Sequence, residues 1–260
     1  RIFANPKAKR LADFWTTELC TKHPELARAW QERATFLRLV GREAEAADAL
    51  AKALSLGGGD FESREQLALL NAQQGDFAGA AEQFDTLCDW LEKKPPTGDG
   101  ALRKIAKAGQ NRLHFGTVGR GMDNVPRDVR WLADNLAKAL APISRLSREQ
   151  GEQLIDASDK LTDFLARFDA GPTLSAEAHS RLIEALKGRT GTTNFETVQA
   201  TLLGHRAFAA ILARDTVAAQ RDLAEAKRIC PDLEVGLEVW RAHALAIDGR
   251  ADEARPIYET

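Results

Sequence analysis

The amino-acid sequence predicts an all-α chain built from antiparallel helix pairs stacked in series. Three observations lead there. Ala and Leu dominate while Tyr and Met occur once each, a bias that favours helix because those side chains lose little freedom there. Small and large apolar residues return at a spacing of 34, the signature of stacked repeats. Outside the repeats, apolar residues still fall three and four apart, which puts them on one helix face. The chain has 260 residues, 44% of them hydrophobic and 28% charged, enough to bury a core and unlike a disordered segment. Its formal net charge of -2 gives no global attraction to nucleic acid or an anionic membrane.

Residues 6–24, PKAKRLADFWTTELCTKHP, read as the second helix of a preceding pair, with Ala12, Leu19 and Pro24 at the expected positions. Two stretches then read as helix, short turn, helix: AWQERATFLRLVGREAEAADALAKALSL and SREQLALLNAQQGDFAGAAEQFDTLCDWL. Ala34 aligns with Ala68, Gly41 with Gly75, Ala46 with Ala80 and Leu50 with Phe84. Small side chains let two helices approach closely, and large ones fill the gaps between them. The glycines stop the first helix by taking a left-handed conformation at little steric cost. Lys93 to Gly98 reads as a turn or short linker. From Arg112 to Val125, Gly116, Gly119 and Gly121 predict the longest irregular loop.

Pro126 suits the start of a helix, whose apolar face is Val129, Leu132, Leu136, Leu140 and Ile143. Ser147 with Gln150 reads as a capping box, opening a helix lined by Leu154, Leu161, Leu165 and Phe168 and stopped by Gly171-Pro172. A further helix runs from about Ser175 to Leu186, and Thr193 with Glu196 reads as a second capping box. The repeat pattern then returns at Leu203, Ala207, Ala210, Ala219, Leu223, Ala226 and Pro231, with Arg214 where the turn glycine belongs. A last unit holds Ala242, Leu245, Gly249, Ala254 and Tyr258; Pro256 within its second helix should shorten or kink it. The domain reading is residues 1–94 as repeats, 95–192 as a divergent helical segment with a Gly-rich loop, and 193–260 as repeats, in one continuous stack.

Trp30, Ala34, Leu37, Gly41, Ala46, Leu50 and Ala53, followed by Leu67, Ala68, Gly75, Ala80 and Phe84, resemble the tetratricopeptide repeat (TPR) family. The resemblance is clearest over residues 27–90 and 200–260. It implies a right-handed superhelical solenoid, here with an irregular helical middle segment. It also implies a non-catalytic scaffold that binds a peptide, a helix or a partner protein in a concave groove lined by the first helix of each pair. The groove residues so implied are Arg28, Gln31, Thr35 and Arg38, then Glu62, Glu65, Leu69 and Gln73, then Phe208 and Ile211. One subset of the family holds acidic chaperone tails in a Lys/Asn carboxylate clamp. Gln31 and Thr35 stand at those positions here, so the resemblance does not extend to that role.

Candidate chemistry elsewhere is sparse. In HFGTVGRGMDN the glycines expose N–H groups that can cradle an anion, but the spacing fits no phosphate-binding motif. The segment from Arg103 to Arg130 carries seven basic residues against two acidic ones. Arg112, His114, Arg120, Arg127 and Arg130 are its candidate contacts to an anion or an acidic partner. Only Phe115 and Trp131 accompany them, too few aromatics for base stacking, which speaks against nucleic acid. The five histidines make no HExxH or zinc spacing, and GxSxG is absent. No catalytic residue, metal or cofactor is predicted. Cys20, Cys88 and Cys230 are too far apart for a CxxC motif and read as reduced, packed thiols. No apolar run approaches the roughly 20 residues of a membrane span.

A second functional reading is a helical accessory region of a larger enzyme, or of a bacterial polysaccharide or secretion assembly. The repeat pattern is cut at both ends, and that motivates it. No leader is visible and the cytoplasm is the expected compartment. The chain begins at Arg1 without Met, which leaves the periplasm open if a leader was removed.

Overall fold

The structure, a computed structural model, describes residues 5–189 and 193–259, apart from the side chains of residues 193 and 234–236. Every regular element among them is helical. The chain divides into two compact units, one of Arg1–Lys93 with Asn111–Val125 and the other of Lys94–Gln110 with Pro126–Thr260.

The first unit holds α1 (Pro6–Lys22), α2 (Ala27–Leu39), α3 (Glu43–Ser55), α4 (Phe61–Gln73) and α5 (Phe77–Lys93). It also holds the second half of α6 (Ala101–Arg120). α2 and α3 form one hairpin, α4 and α5 the next, and α1 lies on α2. Ala46 and Ala80 are fully buried, as are Ala53, Ala68 and Phe84. Helix axes come close enough to exclude water only where the facing side chains are this small. Leu37, Leu50, Leu67 and Leu70 fill the space between the hairpins, with Trp30 half-buried beside them. Arg33 on α2 donates to Asp13 on α1 at 2.5 Å.

The hairpin turns share one construction. At the first, the Gly41 N–H donates to the Arg38 carbonyl and the Arg42 N–H to that of Leu37. This is the Schellman arrangement, which satisfies carbonyls at a helix end by placing one residue in the left-handed region. Gly75, Arg214 and Gly249 occupy the equivalent position, with the same pair of backbone bonds. Arg214, at φ 61°, is the one non-glycine residue with positive φ among those described. The turn without its glycine therefore keeps the geometry and bears the steric cost of a Cβ there.

The second unit holds the first half of α6, α7 (Val125–Leu140), α8 (Arg148–Leu165), α9 (Gly171–Leu186), α10 (Thr193–Leu212), α11 (Thr216–Ile229), α12 (Glu234–Ile247) and α13 (Ala251–Tyr258). α10 packs on α8, α9, α11 and α12, and α12 on α13. The core at its C-terminal end is Ala207, Ala210, Ala219, Leu223 and Ala226 with Leu203 and Leu237. The Ser147–Gln150 capping box is present with both bonds. Pro126 lies in the first turn of α7, and α13 carries Pro256 and is only eight residues long. The reading of Thr193 as half of a capping box falls outside the described side chains.

Two sequence expectations are corrected. Residues 112–120 are not a loop: α6 runs through Gly116 and Gly119, and a short 3-10 turn at Met122–Asn124 leads into α7. The α6 glycines serve close packing. A Cβ on Gly119 would sit 2.5 Å from the Phe77 carbonyl oxygen, and one on Gly109 2.6 Å from Leu132. Gly171-Pro172 opens α9 instead of stopping α8, which has already ended at Leu165. The chain folds back so tightly that a Cβ on Gly171 would lie 1.7 Å from the Leu165 carbonyl oxygen. Pro172 then occupies the helix start, where its missing N–H costs nothing. At the far end of α7, Arg189 donates to the carbonyls of Leu140, Ala141 and Ile143 and closes that terminus.

Candidate functional site

First helices of neighbouring hairpins touch within each unit. In the first unit, Gln31 Nε2 on α2 donates to Ser63 Oγ on α4 at 3.4 Å. Arg28, Thr35 and Arg38 on α2 are exposed, as are Glu62 and Gln73 on α4, while Gln31 and Leu69 are half-buried. Arg28 has only a loose ion pair with Glu32, at 3.8 Å. Glu65 does not fit the predicted face: it is buried, 6% exposed.

In the second unit α8, α10 and α12 are the corresponding neighbours. Phe208 is half-buried on α10, its ring 6.2 Å from that of Trp240 on α12. Gly204 makes this approach feasible, because a Cβ there would meet Trp240 at 2.2 Å. Ile211 is buried in the core and presents nothing outward.

The basic segment is divided. Arg112, His114 and Arg120 belong to the first unit, Arg127 and Arg130 to the second. Arg112 is buried and paired with Asp85 at 2.7 Å, and Arg120 reaches the same carboxylate at 2.5 Å. His114 is exposed and edge-on to Phe115. Arg127 lies beside Asp128, and Arg130 is 3.8 Å from Glu177. Nearby carboxylates thus offset much of the positive charge that the sequence suggests.

Beneath the α8/α10 face lies a polar centre that the sequence reading passed over. Ser158 on α8 is 1% exposed and His179 on α9 fully buried, with His205 on α10 at 4%. Ser158 Oγ is 2.8 Å from His179 Nε2 and 2.5 Å from His205 Nδ1. His179 Nδ1 donates to the Ser175 carbonyl at 2.6 Å, and His205 Nε2 meets Asp159 Oδ1 at 2.7 Å. Burial lowers the His179 pKa to about 3, helped by the nearby His205, so its Nε2 is bare at neutral pH.

The single hydroxyl hydrogen of Ser158 then goes to His179, and His205 Nδ1 must donate to Ser158. One further proton completes the fourth contact, between His205 and Asp159. Burial works against that proton and lowers the His205 pKa, while Asp159 and Asp163 oppose the shift. Asp159, His205 and Ser158 are the residue types of a hydrolytic relay. Ser158, however, is 1% exposed, and its oxygen is taken up by His179 on α9 and His205 on α10. The arrangement therefore clamps α8, α9 and α10 together. A second clamp lies next to it: Arg206 holds Asp222 with two hydrogen bonds, 2.7 and 2.9 Å, and Ser180 at 3.1 Å.

One sequence signal would have found the centre. Ser175 and His179 lie on the α9 stripe of Leu174, Ala178, Leu182 and Leu186, and Ser158 and Thr162 lie among Leu154, Leu161 and Leu165. Polar residues at core-facing positions need partners. Among the described residues, no cluster of three or more His, Cys, Asp or Glu could hold a metal ion, and no helix is long and apolar enough to cross a membrane. The three cysteines are free thiols.

The hairpins, their small-residue nests and their common turn define the class: an all-α protein of antiparallel helix pairs. No known family profile matches the chain, and no curated protein matches it. Solved structures are similar to it at low identity. Acl4, the Assembly Chaperone of RpL4, is 16% identical with a TM-score of 0.41, covering 90% of this chain and 88% of that one. Cut9, from the Cut9–Hcn1 hetero-tetramer of the APC/C, is 13% identical with a TM-score of 0.37; 96% of this chain is covered, and it spans 46% of that chain. The TPR2AB domain of yeast Sti1, solved with pHSP90, is 14% identical with a TM-score of 0.32, covering 90% and 88%. The class stands on the chain's own packing and turns, not on these distant likenesses.

Proposed function

We propose that the chain is a non-catalytic scaffold that holds a peptide or a segment of a partner protein against the first helices of its hairpins. One observation supports this reading: α2 and α4 meet through Gln31 and Ser63 at 3.4 Å, and Arg28, Thr35, Arg38, Glu62 and Gln73 on these two helices are exposed. A rigid stacked frame that presents a row of side chains suits extended segments. In the second unit, the clamp at α8, α9 and α10 keeps that unit's own surface in register.

The test is capture of partners with the chain as bait, re-binding of each purified partner, and charge reversal at Arg28 and Arg38. A partner held on this face loses most of its binding to the Arg28→Glu/Arg38→Glu variant, and the loss is largest at low salt. If every purified partner binds the variant as well as the parent, the face is not the site.

A further inference from the structure

α1 buries one face and leaves another open. Ala12 packs on the α2/α3 core, Cys20 is buried, and Thr16 accepts a hydrogen bond from Arg33 on α2 at 2.9 Å. Elsewhere on the helix Leu11, Phe14 and Trp15 are 57%, 56% and 60% exposed, and Leu19 extends them at 37%. Positions three and four apart are neighbours on a helix surface, so these four form a continuous apolar strip. The Phe14 and Trp15 rings meet edge to face, centroids 5.5 Å apart. The strip leaves roughly 400 Å² of apolar surface in water, in the range of monomer patches that are often functional. Two opposite charges bracket it. Lys7 lies one turn before Leu11, and Glu18 one turn after Phe14. Glu18 also has a surface ion pair with Lys22 at 3.1 Å, a kind of contact worth little in water.

We propose that this strip pairs with the same strip of a second copy of the chain, the two α1 helices lying antiparallel about a two-fold axis near Ala12 and Asp13. The order of charges selects both the occupant and its direction. About that axis Lys7 faces Glu18 of the other copy, twice, and Leu11 faces Phe14. A parallel pair would set Lys7 on Lys7 and Glu18 on Glu18, and like charges so placed oppose docking. Lys7 and Glu18 are eleven residues apart, about 16 Å along the helix, so the apolar block fills the space between the two ion pairs. Two strips with their charged rims bury about 1,200 Å², the low end for a specific interface. The dimer is therefore reversible and depends on concentration. None of Arg28, Arg38, Phe208 or the other residues of the proposed partner-holding face lies on α1, so this inference does not rest on that reading.

The test is sedimentation equilibrium of the chain over a concentration series, where a monomer–dimer equilibrium is expected. Trp15→Ala should raise the dissociation constant by about thirtyfold. Lys7→Glu and Glu18→Lys should each raise it by about tenfold. Circular dichroism reports whether the variants stay folded. The deciding sample is an equimolar mixture of the two charge variants. Alone, each sets like charges opposite one another. Mixed, both contacts regain opposite charge, and the dissociation constant should return to within about threefold of the parent. A mixture that associates no better than its separate components would overturn the antiparallel pairing. A chain that stays monomeric at every concentration would overturn the proposal, as would a dimer that Trp15→Ala leaves intact. Growth in mass past the dimer would mean that the strip meets a different surface of the next copy in an open chain, which also overturns it.

Discussion

The two units solve the same packing problem with different chemistry. Around α2 to α5, alanines set the helix spacing, and the large buried residues between them are mainly leucines with Phe36, Phe61 and Phe84. Around α8 to α10, Ser158, His179 and His205 occupy positions that apolar residues hold elsewhere. An apolar nest is stabilised by area removed from water and tolerates small shifts. A hydrogen-bonded centre gains little net stability but penalises any misfit, because every stranded donor or acceptor costs free energy. The first device supplies cohesion and the second fixes alignment.

The largest test of this contrast is in the first unit. Phe84 is fully buried and stacked on Phe115, centroids 5.4 Å apart. Phe84→Ala should cost about 3 to 5 kcal/mol, measured by urea unfolding. A loss under 1 kcal/mol would mean that the nest is not where cohesion resides. The next effect separates the units by pH. Unfolded His179 titrates near 6.5 and folded His179 near 3, so between those values the unfolded chain takes up the proton first. The stabilisation is complete above pH 6.5 and is lost as pH falls toward 3. It amounts to about 2 kcal/mol between pH 7 and pH 5, and the lowered His205 pKa adds in the same sense. Hydrogen exchange should show α8 to α10 opening more at pH 5 while α2 to α5 hold, with a flattened slope in His179→Leu. Equal loosening of both units would sink the contrast. The smallest effect concerns the turn that departs from glycine. Arg214→Gly relieves a left-handed cost of about 1 to 2 kcal/mol and adds about 0.5 to 1 of unfolded-chain entropy. A net gain of about 0.5 to 1 kcal/mol should appear in thermal unfolding, against a loss for Gly75→Ala.

Much of the architecture was legible because its cause is local. Gly41 and Gly75 mark their turns by residue type, and Ala46 and Ala80 mark helix crossings by size. Ser147 and Gln150 mark a helix start by complementary hydrogen bonding. Gly116, Gly119 and Gly171 misled for a non-local reason. Glycine signals freedom in a turn and closeness in a packed contact alike, and only the neighbour decides which: Phe77 for Gly119, Leu165 for Gly171. Arg28, Thr35 and Arg38, which the resemblance implies for a groove, are exposed on α2. Glu65 and Ile211 depart from that expectation because a half-turn of helix separates an exposed position from a buried one. The polar centre was illegible as a unit because its members, 158, 179 and 205, lie on three helices and meet only after those helices dock.

That centre has a consequence for descent. A core of alanines and leucines can wander one methyl group at a time, each step nearly harmless. The serine and its two imidazoles cannot, since altering one member orphans the others. Among distant cousins of this chain, the trio should be kept whole or replaced whole, and the rarest finding should be two of the three.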